Sequence, residues 1–254
     1  MKSATSKKAA IAISVFLLAI AAKEIFRFLP EPYGTLSWKV WWVLLCVGTL
    51  FTFQGRSVQE VLRQLGLTKP ILPAFGIGIV IVLPMLLVFL ATGHSSAQLS
   101  LSAVLMTSGL APFSEEVLFR GYLFRQLYRN AGWSFFSAVF LSAALFALAH
   151  INTLLSQPGS APEFIAAVAM LALGGVFFAW LLIRWNDNLW VPVSVHALMN
   201  LTCQVFACDE ARISGPTTVA RVLVVGTSIG IVLVRRRRLG REASQAPGTP
   251  RSQS

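Results

Sequence analysis

The chain has 254 residues, of which 56% are hydrophobic and only 12% charged, with a net charge of +11 and a mean hydropathy of +0.70. A soluble domain carries about 25% charged residues, so these side chains are too few to cover a water-facing surface, and the apolar content excludes a disordered chain. The basic excess would point to nucleic acid only as a patch on a soluble surface, so its distribution matters more than its sum.

A membrane-crossing helix needs about 20 mostly apolar residues. The apolar runs predict an all-α, polytopic membrane protein with eight helices, at about 9–29, 37–54, 71–92, 99–129, 133–154, 163–184, 188–207 and 216–234. Lys23 and Arg27 extend the first run, Lys39 the second and Arg221 the last, as charges that snorkel to the interface. Ala19-Ile20-Ala21 resembles a signal-peptide site, but further spans follow at once, so the segment reads as the first helix. Residues 1–98 form an N-terminal group of three helices, 99–207 a core, and 208–254 the last helix with a basic tail, disordered from Arg241 onward. Cys46, Cys203 and Cys208 show no metal-binding spacing and read as buried free thiols.

Lys and Arg in short loops set orientation. Lys2, Lys7 and Lys8 precede the first helix, Arg56, Arg63 and Lys69 follow the second, Arg125 and Arg129 the fourth, Arg184 the sixth, and Arg235–Arg238 the eighth. The loops 93–98 and 155–162 hold none, and 208–215 holds only Arg212. The pattern predicts both termini in the cytosol of a prokaryotic plasma membrane, with Lys23, Arg27 and Lys39 as exceptions. The bilayer, rather than nucleic acid, is the partner of the basic residues.

Ionisable side chains inside a span cost about 2.5–3.5 kcal/mol each and mark function. Glu115, Glu116 and Arg120 fall within the fourth helix, His150 in the fifth, and His196 with Asn200 in the seventh. Glu116 and Arg120 pair at i, i+4; Glu115 lies about 100° around the helix and is not committed to that arginine. Pro112 kinks or starts this half of the helix, with Ser114 as a local cap. A lone Glu–Arg pair would serve only to hold helices together, and a lone apolar-face His is ordinarily a packed core residue. Six polar groups on three helices argue instead for one shared site. At 1.5 Å per residue, Glu115 and His150 lie about 22 and 25 Å above the turn near Asn130, whereas His196 lies only about 12 Å into its helix. A deeper helix start, or a helix broken at the site, is therefore required.

Glu115-Glu116-x-x-x-Arg120, Phe146-x-x-x-His150 and His196-x-x-x-Asn200, with Phe119-Arg120-Gly121 inside the first, resemble the three ordered motifs of the CPBP family. These are glutamic intramembrane proteases that include type II CAAX prenyl endopeptidases and bacteriocin-processing proteins. The resemblance implies hydrolysis of a peptide bond near the C-terminus of a membrane-anchored or lipidated protein, including the cutting of a C-terminal sorting signal. It implies that Glu115 and His150 activate water, that Arg120 orients Glu116, that His196 and Asn200 donate to the oxyanion, and that Phe146 packs or lines the substrate groove. No cofactor is implied. Two alternatives use the same scaffold: a zinc metalloprotease whose Glu and His side chains ligate the metal, although no HExxH is present, and a non-enzymatic transporter or immunity protein.

Overall fold

The computed structural model describes residues 2–54, 57–92, 99–156, 159–208 and 215–245, and every regular element among them is helical. In chain order these are α1 (Lys2–Phe26), α2 (Tyr33–Gln54), α3 (Val58–Leu65) and α4 (Ile71–Thr92). A rod over 101–130 follows, in which α5 (Leu101–Val104) and α6 (Ala111–Glu115) alternate with π-helical stretches at Leu105–Leu110, Glu116–Phe124 and Gln126–Asn130. The chain then forms α7 (Phe135–Ala149), α8 (Ile151–Leu155), α9 (Ala161–Arg184), α10 (Trp190–Val205) and α11 (Gly215–Gln245).

Among the described residues, five helices are long and apolar enough to cross a membrane: Ser6–Phe26, Tyr33–Phe53, Ile71–Thr92, Ala161–Arg184 and Gly215–Arg241. The other three expected segments are helical but of a different kind. The rod changes winding along its length, the fifth segment breaks at His150 between α7 and α8, and α10 has only 16 residues. Leu17, Phe53, Leu72, Phe136 and Phe140 project outward, while Lys39, Glu115, Glu116 and Arg120 are buried. This arrangement inverts that of a water-soluble protein and suits a hydrocarbon solvent.

One apolar cluster joins α1, α2, the rod and α7 through Phe16, Trp42, Leu50, Phe119 and Phe146. A second joins α4, α9, α10 and α11 through Ile81, Met85, Phe178, Val195 and Val224. Close approach depends on small residues, as is common between membrane helices. A Cβ on Gly175 of α9 would lie 2.8 Å from the Ala143 Cα of α7.

The stretch 55–70, expected as a loop, contains the amphipathic helix α3, which buries Val61 and Leu65. Ser57 caps it by accepting from the Glu60 N–H at 3.3 Å, and Gly66 ends it in the left-handed region at φ 80°, a conformation glycine adopts without a Cβ penalty. Arg125 donates to the carbonyls of Gln64 and, at 3.2 Å, Arg63, and pairs with Asp187 at 3.4 Å. Read from sequence as a topological anchor, Arg125 instead clamps α3 to the rod and to the turn before α10.

The cysteine expectation is corrected: Cys203 and Cys208 form a disulfide with a Cα–Cα separation of 4.7 Å, while Cys46 is free and buried. The helix end explains the pairing. Ala207 turns left-handed at φ 49° and the Cys208 N–H donates to the Cys203 carbonyl at 3.0 Å. This six-residue closure brings position 208 back beside 203. The expected tail is also corrected in part, since α11 continues through Arg235–Arg238 to Gln245. The loop 93–98, residues 157–158, Arg212 with 209–214, and 246–254 lie outside the described residues.

Candidate active site

The rod's winding places the first motif. In the stretch Leu105–Leu110 the Ala111 N–H reaches back five residues to the Met106 carbonyl, and the next residue, Pro112, has no N–H to give. The Thr107 carbonyl is thereby left without a donor in its own helix. Asn200 supplies one, its Nδ2 donating to that carbonyl at 3.0 Å. One turn further along α10, Gln204 Nε2 donates to Thr107 Oγ1 at 2.6 Å and its Oε1 accepts from Ser108 Oγ at 2.6 Å. Pro112 lies in the first turn of α6, at the start of this half of the rod as expected, whereas Ser114, expected as a cap, donates to the Ala111 carbonyl at 3.0 Å.

The same winding resolves the depth of His196. A π-helix bonds i to i+5, so it holds more residues per turn and rises less per residue than the α-helical value used for Glu115. In addition α10 starts inside the body, because the Leu189 N–H donates to the Gly66 carbonyl at 3.1 Å. Asn186 and Asp187 make that turn with φ of 54° and 58°, a region that Asn and Asp tolerate better than most residues. His196 consequently meets both glutamates.

Glu116 is fully buried, and its Oε1 accepts from Arg120 Nη1 at 3.0 Å and from His196 Nδ1 at 2.9 Å. The Arg120 guanidinium, 0% exposed, lies 4.4 Å from the Phe146 ring centroid and 5.2 Å from that of Phe178. Phe178 in turn stacks on His196 at 4.9 Å. Among the described residues, Glu116 Oε2 and Arg120 Nε and Nη2 are buried without a hydrogen-bond partner.

Glu115 faces the other way. Its Oε1 accepts from Lys39 Nζ, and its Oε2 is 3.8 Å from His196 Nε2, so the imidazole spans the two carboxylates. Lys39 is 4% exposed and lies 4.3 Å and 4.9 Å from the Trp38 and Trp42 ring centroids. The sequence reading of Lys39 as a snorkelling charge is corrected: a carboxylate and two aromatic faces hold the ammonium inside. Sequence reasoning missed this residue because a lysine near a helix end resembles an interfacial one; its place within the Trp38–Trp42 turn was the available signal.

His150 terminates α7, with its Nδ1–H donating to the Phe146 carbonyl at 2.8 Å, which leaves Nε2 as the free acceptor. A cavity of about 240 Å³ is lined by Glu115, His150, Lys39, Trp38, Trp42 and Thr107, among others. Glu116, Arg120, His196, Asn200 and Phe146 do not line it. The six expected polar residues thus form two layers: Glu115 and His150 at the cavity, and Glu116, Arg120 and His196 behind, with Asn200 fastening α10 to the rod. His196 Nδ1 is engaged by Glu116 and one Asn200 amide hydrogen by the Thr107 carbonyl. Phe146, expected to contact substrate, is a buried spacer between Arg120 and His150, 4.7 Å from the latter's ring.

Residues 97–202 match the family model described as type II CAAX prenyl endopeptidase, Rce1-like. No curated protein matches the chain, and no solved structure does. The matched region contains all three motifs, both glutamates and both histidines of the site; over residues 97–202 the chain is similar to the Rce1-like type II CAAX prenyl endopeptidases.

Proposed function

We propose that the protein is a glutamic-type intramembrane endopeptidase that hydrolyses a peptide bond near the C-terminus of a membrane-anchored or lipidated protein. The observation that carries this reading is the sharing of one cavity by Glu115 and His150, with Glu116, Arg120 and His196 engaged behind them. A water molecule between the two loses its proton to the pair as it attacks the scissile carbonyl, and the same proton passes to the departing amine. Lys39 pairs with Glu115 at the edge of the same cavity. Glu116, Arg120 and His196 fix the neighbouring carboxylate and so the orientation of the helix that presents Glu115.

A zinc mechanism asks more of these side chains than the geometry provides. Among the described residues no group of three or more His, Cys, Asp or Glu side chains is placed to hold a metal ion, and the candidate ligands are engaged by Lys39, Arg120 and the Phe146 carbonyl. We propose that no metal takes part, so that purified protein treated with a chelator is expected to keep its peptidase activity; a loss restored by added zinc would overturn this part of the reading.

The decisive experiment compares the membrane proteome of a strain carrying the native chain with one carrying Glu115→Ala. A membrane protein that retains its C-terminal segment only in the variant identifies the substrate. No change in the processing of any membrane protein, with the variant inserted at native levels, would refute the reading.

A further inference from the structure

The apolar runs of α9 and α11 end side by side. Ile183 is followed by Arg184 and Trp185, and Val234 by Arg235–Arg238. Arg235 Nη1 donates to the Arg184 carbonyl at 3.3 Å, which sets the two boundaries at one depth. The Arg235 guanidinium lies 4.6 Å from the Trp185 ring centroid, and that of Arg184 lies 5.9 Å from the Trp180 centroid. Both arginines are half-buried against these indoles, and among the described residues neither has a carboxylate partner. The Trp185 Nε1–H is also buried without an acceptor. Tryptophan is enriched where hydrocarbon gives way to headgroups, so two uncompensated guanidiniums sit at the level of lipid phosphates. None of these residues lines the cavity of Glu115 and His150, and the region matched by the family model ends before Arg235.

We propose that Arg184, Arg235 and Trp185 form a binding site for the phosphate of an anionic phospholipid, seated between the ends of α9 and α11. A guanidinium presents its donors in a planar fork that matches two phosphate oxygens. Arg235 uses one donor on the Arg184 carbonyl and, like Arg184, keeps the others for an anion. Two positive charges without a counter-charge favour a lipid of net negative charge over a zwitterionic one, whose own cation they repel. Arg236, Arg237 and Arg238 are exposed and can serve only a diffuse attraction to an anionic surface, whereas stacking on indole holds Arg184 and Arg235 in place. The site also adjoins the start of α10. The Trp185 carbonyl accepts from the Asn188 N–H at 3.2 Å, in the turn from which α10 carries His196 to the glutamates, so a lipid held there steadies that turn. Its chemistry does not rest on the peptidase reading.

The test uses the full chain in nanodiscs of phosphatidylglycerol and phosphatidylcholine in equal amounts, with the lipids retained on the protein counted by native mass spectrometry. The native chain is expected to retain phosphatidylglycerol in preference. Arg184→Gln and Arg235→Gln should each reduce that preference about fivefold, the worth of one arginine at a membrane surface. A variant with Arg236→Gln, Arg237→Gln and Arg238→Gln together should reduce it less than either single change. Thermal unfolding gives a second readout: phosphatidylglycerol added to phosphatidylcholine nanodiscs should raise the melting temperature of the native chain but not that of Arg184→Gln. That variant keeps the bond from Arg235 to the backbone carbonyl of residue 184, so it carries the comparison if Arg235→Gln fails to fold. Equal retention of the two lipids by the native chain, or an unchanged preference in Arg184→Gln, would overturn the site. A larger loss in the triple variant than in the single ones would reduce it to diffuse surface attraction. Stabilisation by inorganic phosphate in phosphatidylcholine nanodiscs equal to that by phosphatidylglycerol would overturn the lipid as occupant and make the ligand a free anion.

Discussion

Glu115 and Glu116 are adjacent in the chain, yet one lines a cavity and the other is sealed behind it, so their replacement should have different consequences. Glu115→Gln and His150→Ala are expected to lower cleavage by about 10²-fold or more, the usual scale of a general base. His150→Ala should leave thermal unfolding close to native, whereas Glu115→Gln also removes the ion partner of Lys39 and should destabilise, though less than Glu116→Gln because Glu115 faces the cavity. Glu116→Gln leaves Arg120 buried without its ion partner, and breaking a buried pair costs about 3–5 kcal/mol; a clear drop in melting temperature is expected alongside lost activity. If Glu115→Gln proved the more destabilising of the two, the division of roles would be wrong. The motif residues could be read from the sequence because an ionisable side chain in lipid is too costly to keep without a use. Lys39 escaped the same logic, since the aliphatic stem of a lysine allows it to be placed at an interface and nothing in the one-dimensional pattern reports the glutamate 76 positions away.

At the level of the helix, the missing N–H of Pro112 and the side chain of Asn200 are two ends of one arrangement. Asn200→Ala should cost about 1–3 kcal/mol, because it leaves the part-buried Thr107 carbonyl without a donor. Pro112→Ala alone should be mild, and in combination with Asn200→Ala it should recover part of the loss, since the restored N–H can reach Thr107. A double-mutant cycle by thermal or denaturant unfolding checks this; strictly additive effects would refute the coupling. A second test concerns the seam between α7 and α9. Gly175→Val places a branched side chain where even a Cβ meets the Ala143 backbone at 2.8 Å, so the helix ending in His150 must shift, and both stability and activity should fall. The positions of most helices were readable from apolar runs and turn residues. The π winding was not, because hydrophobic content does not distinguish i→i+4 from i→i+5 bonding, and assuming the α-helical rise left His196 too shallow.

Across the whole molecule, the cavity residues Thr107, His150 and Lys39 gather toward the end of the bundle where α10 finishes and α1 turns into α2. The turn that starts α10, against Gly66 and Arg125, lies at the other end. Orientation therefore determines which compartment supplies the substrate. The orientation expected from lysine and arginine counts in the loops would put the α10 terminus outside the cytosol, and Lys23 and Lys39, two of the three exceptions to that count, are cavity residues. The bond between Cys203 and Cys208 supplies a separate indicator. Thiols are kept reduced in a cytosol and are oxidised in a periplasm or at an outer surface, so a cystine at this end acts as a chemical label of the side it faces. In intact cells, Cys203 and Cys208 should resist maleimide until a reductant is added and should then react with a membrane-impermeant reagent. Labelling without reductant, or only after the membrane is breached, would turn the bundle over and bring its substrates from the cytosol instead.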